Sequence, residues 1–219
     1  MFDLHKGSIS VDGVDIASLP LKQLRLGLSI IPQEPVVFSG TVRNNLDPFK
    51  KHTDEELYGF LREASLYSLV EGLGGLQAKV TGSGSGAWSI GQQQLMCLAR
   101  AALRKVPVLC LDEATSAMDP VTEQEVQAVI KRVFAERTII TIAHRLDTVI
   151  ESDTVLVMEA GELKETGPSS SLLNNSKSMF SMLVDKTGPE AAAALRKMAA
   201  EFQATRLLHV NSTASNLTS

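Results

Sequence analysis

From residue 90 to residue 158 the chain alternates helical and strand patterns joined by short links, and this alternation limits its fold more than any other feature. Apolar spacing predicts a helix over 90–104, a strand over 107–111, a helix over 120–134, and strands over 138–142 and 154–158. Such a series builds a mostly parallel sheet covered by helices, so the expected class is α/β. Upstream, Ser8 to Ile16 alternates apolar and polar residues about Asp12-Gly13, a hairpin pattern. Residues 28–31 form a short buried strand stopped by Pro32, and residues 54–70 read as one helix with Thr53 as N-cap and Glu56 three positions on. Gly161 marks a last hairpin, and Gly188-Pro189 breaks the chain before a C-terminal helix within 188–209. That helix carries Leu195, Met198, Phe202 and Arg206 along one stripe, expected to dock on its own domain. Residues 210–219 are polar and expected to be disordered.

Three chemical devices sit inside the alternation. Trp88-Ser89-Ile90-Gly91-Gln92 opens a helix, Val108 to Leu111 is an apolar strand ending in Asp112 and Glu113, and Ser116-Ala117-Met118-Asp119 is a tight turn. A helix start presents free N–H groups and the positive end of the helix dipole, which favour an anion. Carboxylates at the end of a buried strand can hold a divalent cation beside phosphates. Each device alone has a plainer reading: Ser89 as an ordinary N-cap, Asp112-Glu113 as a cap for the next helix, His144 as a structural residue at a strand end, Gln33 as a loop glutamine.

Taken in this order and spacing, the three resemble the signature motif, Walker B strand and D-loop of an ATP-binding-cassette (ABC) ATPase, followed by Thr141-Ile142-Ala143-His144-Arg145 where that family carries its switch histidine. The resemblance implies a P-loop NTPase-like domain with a mostly parallel sheet and a helical signature subdomain at about 42–104, within a partial nucleotide-binding domain at 1–187. It implies ATP and Mg²⁺ as ligands. Asp112 would hold Mg²⁺, and Glu113 would orient or activate the attacking water. Gln33 would reach Mg²⁺ and couple the site to a membrane domain, and His144 would sense the γ-phosphate. Ser89, Gly91, Gln92 and Asp119 would meet nucleotide across a head-to-tail dimer with a second nucleotide-binding domain. Trp88 departs from the usual Leu or Phe at its position, and Gln93 replaces a residue that is often basic.

Arg43-Asn44-Asn45-Leu46-Asp47-Pro48-Phe49 is similar to the R-x-N-L-D-P-F segment of the multidrug-resistance-associated, or C, subfamily. With Asp12-Gly13-Val14-Asp15-Ile16 and Leu24-Arg25 the likeness covers about residues 7–185 and is a close match to the second nucleotide-binding domain of such exporters, a placement that Glu113 supports because the first domain typically has Asp there. It implies transmembrane domains as partners and a place at the cytoplasmic face of a membrane.

No G-x-x-x-x-G-K-[ST] phosphate loop occurs in the 219 residues, nor any Gly-Lys pair. The Gly-rich run Thr81 to Gly86 has no lysine after it and reads as a flexible approach loop. In the family, Met1 would fall on the helix after the Walker A loop, so the expectation is an N-terminally incomplete domain that folds poorly alone and lacks competent ATP binding. A net charge of −4 lacks the basic excess that a phosphate backbone demands, which argues against nucleic acid. Cys97 and Cys110 occupy apolar positions, and two cysteines do not make a disulfide framework. No apolar run approaches the ~20 residues of a membrane span. His5, His52 and His209 lack acidic or Cys neighbours at ligand spacing, so no metal cage is assigned. Two readings follow: the C-terminal part of an exporter's ATPase domain, or a non-catalytic interaction fragment that pairs with a complete domain.

Overall fold

The chain begins with a tight hairpin. β1 (Ser10–Val11) and β2 (Val14–Asp15) pair antiparallel across Asp12-Gly13, both at positive φ, as a two-residue turn requires. The structure, a computed structural model, describes residue 4 and residues 6–81, 88–112, 118–143 and 145–216, with side chains to residue 208. It divides into two compact units, residues 1–142 and 143–219.

In the first unit α1 (Leu21–Gly27) leads into β3 (Leu28–Ile31), which ends before Pro32, a residue with no N–H to extend a ladder. β4 (Gly40–Thr41) runs into α2 (Val42–Leu46), whose N-cap Thr41 accepts from the Asn44 N–H at 3.1 Å. The single helix expected over 54–70 is two: α3 (Asp54–Glu63), opened by a Thr53/Glu56 capping box, and α4 (Tyr67–Gly72). Between them Ser65 adopts φ 58°, the Ser65 N–H bonds the Arg62 carbonyl, and the Leu66 N–H bonds the Leu61 carbonyl at 2.8 Å. This is a Schellman stop, sealed by the buried pair Leu61 and Leu66. β5 (Lys79–Val80) pairs with β4.

α5 (Ile90–Leu103), β6 (Val108–Asp112), α6 (Pro120–Val133) and β7 (Thr138–Ile142) complete the unit. β6 lies between β3 and β7 with all three parallel, Ile31 opposite Leu111 and Asp112 opposite Ile142. Leu109 and Leu111 project to the helix-covered side, where they join Met96, Leu98, Val126 and Phe134 in one core with α2, α3 and α4. Each fully buried Leu contributes roughly 1.5–3 kcal/mol relative to exposure. The opposite side of the sheet carries Ile30, Cys110 and Ile140 in one row, with Ile30 62% and Ile140 53% exposed.

The second unit holds α7 (Leu146–Ile150), β8 (Val155–Glu159), β9 (Glu162–Gly167), α8 (Ser169–Leu173), α9 (Met179–Asp185) and α10 (Pro189–Asn216). β8, counted in the alternation that predicts the parallel sheet, pairs antiparallel with β9 across Ala160-Gly161, the hairpin expected at Gly161. Local alternation does not name a strand's partner, and a two-residue turn at positive φ favours the adjacent strand. Within the second unit α10 shares a core with its own neighbours: Ile150, Val155, Leu173, Phe180 and Val184 pack with Ala192, Leu195 and Ala199. The buried row is therefore 192/195/199. Met198 and Phe202 are half-buried and Arg206 is exposed, bonding Asp153 at 3.1 Å. Small side chains on either side of Leu195 let the helix lie close. α10 also continues to Asn216, into the segment expected to be disordered, since no Gly or Pro after Pro189 interrupts propagation.

Candidate functional site

The sheet topology brings Gln33 and Asp112 to one edge. β3 and β6 are adjacent and parallel with Ile31 beside Leu111, so Asp112 lies one residue, and Gln33 two residues, beyond that pair at the carboxyl ends of neighbouring strands. Both are exposed, whereas Leu109 and Leu111 behind Asp112 are buried. A nucleotide-site Mg²⁺ takes one or two carboxylates together with phosphate and water oxygens. An exposed strand-end carboxylate beside a carboxamide is a donor set of that kind. Glu113 and His144, and with them Ser116 and Ala117 of the tight turn, lie outside the described residues.

Connectivity points the starts of α5 and α6 toward the same edge. Each helix returns to the amino end of the next strand through a short link, 104–107 and 134–137, so its N-terminus lies toward the carboxyl end. At α5, Ser89 and Gln92 form a reciprocal capping box: Ser89 Oγ accepts from the Gln92 N–H at 3.2 Å, and Gln92 Oε1 accepts from the Ser89 N–H at 3.0 Å. The two departures from the family pattern touch one another. Gln93 Nε2 donates to the Trp88 carbonyl at 2.8 Å, and the Trp88 ring is buried in the core. Trp88 thus anchors the entry to the helix, and Gln93 ties it down.

Gly91 is buried, and a Cβ added there would run into Thr122 Cγ2 of α6. Its missing side chain therefore serves the approach of two helices within this chain. Asp119 is the N-cap of α6: its Oδ1 accepts from the Val121 N–H at 3.1 Å and the Thr122 N–H at 3.0 Å, with Pro120 at the first helical position. The bond from the Thr122 side chain, then the backbone donors, hold the Asp119 carboxyl below the usual carboxylate range.

Sequence reasoning missed the brace behind the edge. Asn45, within the R-x-N-L-D-P-F segment, donates from Nδ2 to the carbonyls of Phe38 and Thr41 and accepts at Oδ1 from the Phe38 N–H. Arg100 of α5 donates to the Asn45 carbonyl at 2.7 Å, to Asn45 Oδ1 and to the Val36 carbonyl, with its guanidinium over the Phe38 ring. Arg43 pairs with Asp54 and the His52 carbonyl, and Asp47 accepts from the His52 N–H at 2.8 Å. The segment that resembles a subfamily mark is thus a clamp on the loop following Gln33. A buried Asn in a short helix beside an Arg about three turns into another is a signal that only the fold completes. The fully buried Gln94 amide was also missed: among the described residues neither of its polar atoms has a hydrogen-bond partner.

Among the described residues no helix is long and apolar enough to cross a membrane. Comparison with known proteins matches residues 1–116 to the ABC transporter family model. The chain is 46% identical over 200 residues to ABC transporter C family member 3 of Dictyostelium discoideum, which covers 91% of this chain and 14% of that protein. It is 47% identical over 195 residues to human ATP-binding cassette sub-family C member 4, covering 89% and 15%. With rat ATP-binding cassette sub-family C member 2 it shares 49% over 177 residues, covering 80% and 11%. The chain therefore spans between 11% and 15% of the length of these relatives.

Proposed function

The chain belongs to the ABC transporter family, and on that premise we propose that it forms the C-terminal part of an ATP-binding and ATP-hydrolysing domain that couples hydrolysis to transmembrane transport in a C-type exporter. The observation that carries this is the shared edge where Gln33 lies two residues beyond the end of β3 and Asp112 ends β6, and toward which α5 and α6 begin. Mg²⁺-ATP supplies the transferable phosphoryl group and the cation that offsets its developing charge. Asp112, with Gln33, would hold the ion. Glu113 accepts a proton from the attacking water or fixes its orientation, and His144 donates to the terminal phosphate. The N–H groups at the start of α5, framed by Ser89, Gly91 and Gln92, face phosphate held by a second nucleotide-binding domain in a head-to-tail dimer, with Asp119 beside them. The brace of Asn45 and Arg100 stiffens the loop between Gln33 and α2, a fitting support for contact with transmembrane domains at the cytoplasmic face of a membrane.

The test is ATP turnover by the complete gene product. Glu113→Gln should lower kcat by about 10²–10⁴ while nucleotide binding persists, and turnover unchanged in that variant overturns the role.

A second reading has its own support: α5 with its capping box is present, yet no Gly-Lys pair occurs in these 219 residues. On that reading the chain alone does not bind ATP competently and instead lends its signature helix to a complete domain. Saturable Mg²⁺-ATP binding by the purified chain, abolished by Asp112→Ala, would exclude it.

A further inference from the structure

We propose that Thr122 is a positioning residue that locks the start of α5 to the start of α6, so that a disturbance at either helix N-terminus is registered at the other; its bearing on catalysis rests on the ATP reading above. The warrant is the way one side chain divides its two arms. The methyl, Cγ2, occupies the space a Cβ would take at buried Gly91, with Thr122 Cβ 3.5 Å and Met118 Sδ 3.9 Å from the same point. The N–H donates to the Asp119 carboxylate at 3.0 Å, and the hydroxyl adds to what holds that carboxyl below its usual range.

Gly91 is the second residue of α5, and Thr122 is the third of α6. The contact therefore joins the first turns of both helices, where the unpaired N–H groups lie. Neither partner can absorb a displacement. Gly91 has no side chain to rotate, and the β-branched Thr122 is stiff at χ1, with its N–H held by Asp119. A shift of the Asp119 turn therefore reaches the Ser89–Gln92 cap through one van der Waals contact. Thr serves here because it alone combines both arms: Ser keeps the hydroxyl without the methyl, and Val keeps a methyl without the hydroxyl.

The experiment pairs amide exchange with kinetics in the complete gene product. Asp119→Asn preserves a competent N-cap and is expected to speed exchange at Gln92, Gln93 and Gln94 about tenfold, but to leave it unchanged in a Thr122→Ser background, where the link is cut. Equal effects in both backgrounds, or none in either, overturn the proposal. Gly91→Ala is expected to lower ATP turnover about tenfold with KM within about twofold, and Gly91→Ala with Thr122→Ser, which clears the obstructing methyl, to recover most of it. Recovery of thermal stability without recovery of turnover reduces the contact to packing and overturns the positioning role. Absence of ATP turnover in the wild type would sink the ATP reading, while the exchange cycle would still decide whether Thr122 links the two helices.

Discussion

Asn45 holds Phe38 as a neighbouring strand would: its Oδ1 accepts from the Phe38 N–H at 2.9 Å, and its Nδ2 donates to the Phe38 carbonyl at 2.8 Å. One side chain thus satisfies both backbone groups of a residue in an irregular loop, while Phe38 itself stays 64% exposed. Asn45→Ala leaves these groups and the Arg100 guanidinium short of partners. It should destabilise the first unit by about 2–4 kcal/mol, read as a lower urea midpoint with faster amide exchange over 36–40. An unchanged midpoint would mean that water replaces the brace without loss.

Gln94 predicts the opposite sign. A fully buried amide without partners has lost hydration and gained nothing in return. Gln94→Met, close in volume, should be neutral or stabilise by about 1–2 kcal/mol in denaturant titration. A clear loss of stability would reveal an ordered water serving the amide.

In the second unit Glu165 accepts from Ser178 Oγ at 2.7 Å, from the Met179 N–H at 2.8 Å and from the Phe180 N–H at 3.2 Å, so its carboxylate crosses from β9 to the start of α9. The Ser178 bond first, then the Met179 donor, hold its carboxyl below the usual range against a smaller opposing effect of burial. A depressed folded pKa means that this stabilisation is fully present above the ordinary glutamate value of about 4.3 and is lost as pH falls through the folded value. Acid titration of the second unit's unfolding should show this loss in wild type and a shallower slope below about pH 4.3 in Glu165→Gln.

Arg196 fastens α10: it donates to the Leu173 carbonyl at 2.6 Å and to Ser181 Oγ and Asp185 Oδ1, each at 2.8 Å. Three acceptors from α8 and α9 converge on one planar fork, a geometry an ammonium does not reproduce. Arg196→Lys and Arg196→Ala should both lower stability by about 1–3 kcal/mol. Full rescue by Lys would show that charge alone matters.

The row of Ile30, Cys110 and Ile140, continued by Ile142 at 59% exposed, is a wide apolar surface for a three-stranded sheet. The purified chain should self-associate in the micromolar range on sedimentation, and threonine at 30, 140 and 142 should shift it toward monomer. A cooperative thermal transition in a strictly monomeric wild-type chain would contradict this.

The chain announces its strands and caps better than its partnerships. The apolar run before Asp112, the Thr53/Glu56 box and the helix beginning at Pro120 are local patterns, and the structure has them. Ser65 gave no sign of the left-handed turn that splits 54–70, because that conformation usually advertises itself through Gly. The methyl of Thr122 in the hollow of Gly91 joins residues whose relation only the folded backbone creates, whereas Gly161 already marks the turn between β8 and β9. Asp112 and Gln33 were legible as types at strand ends, while their neighbourhood follows from the parallel register of β3 and β6.

Two of the N–H groups at the start of α5, those of Ser89 and Gln92, are already held by one another's side chains. A phosphate oxygen that took either of these two donors would enter by exchange, displacing a bond of nearly equal worth, and the net gain there would be small. Such a contact suits a latch more than a store. It closes when something on the far side of the ligand supplies the remaining affinity, and it releases without a deep well to climb from.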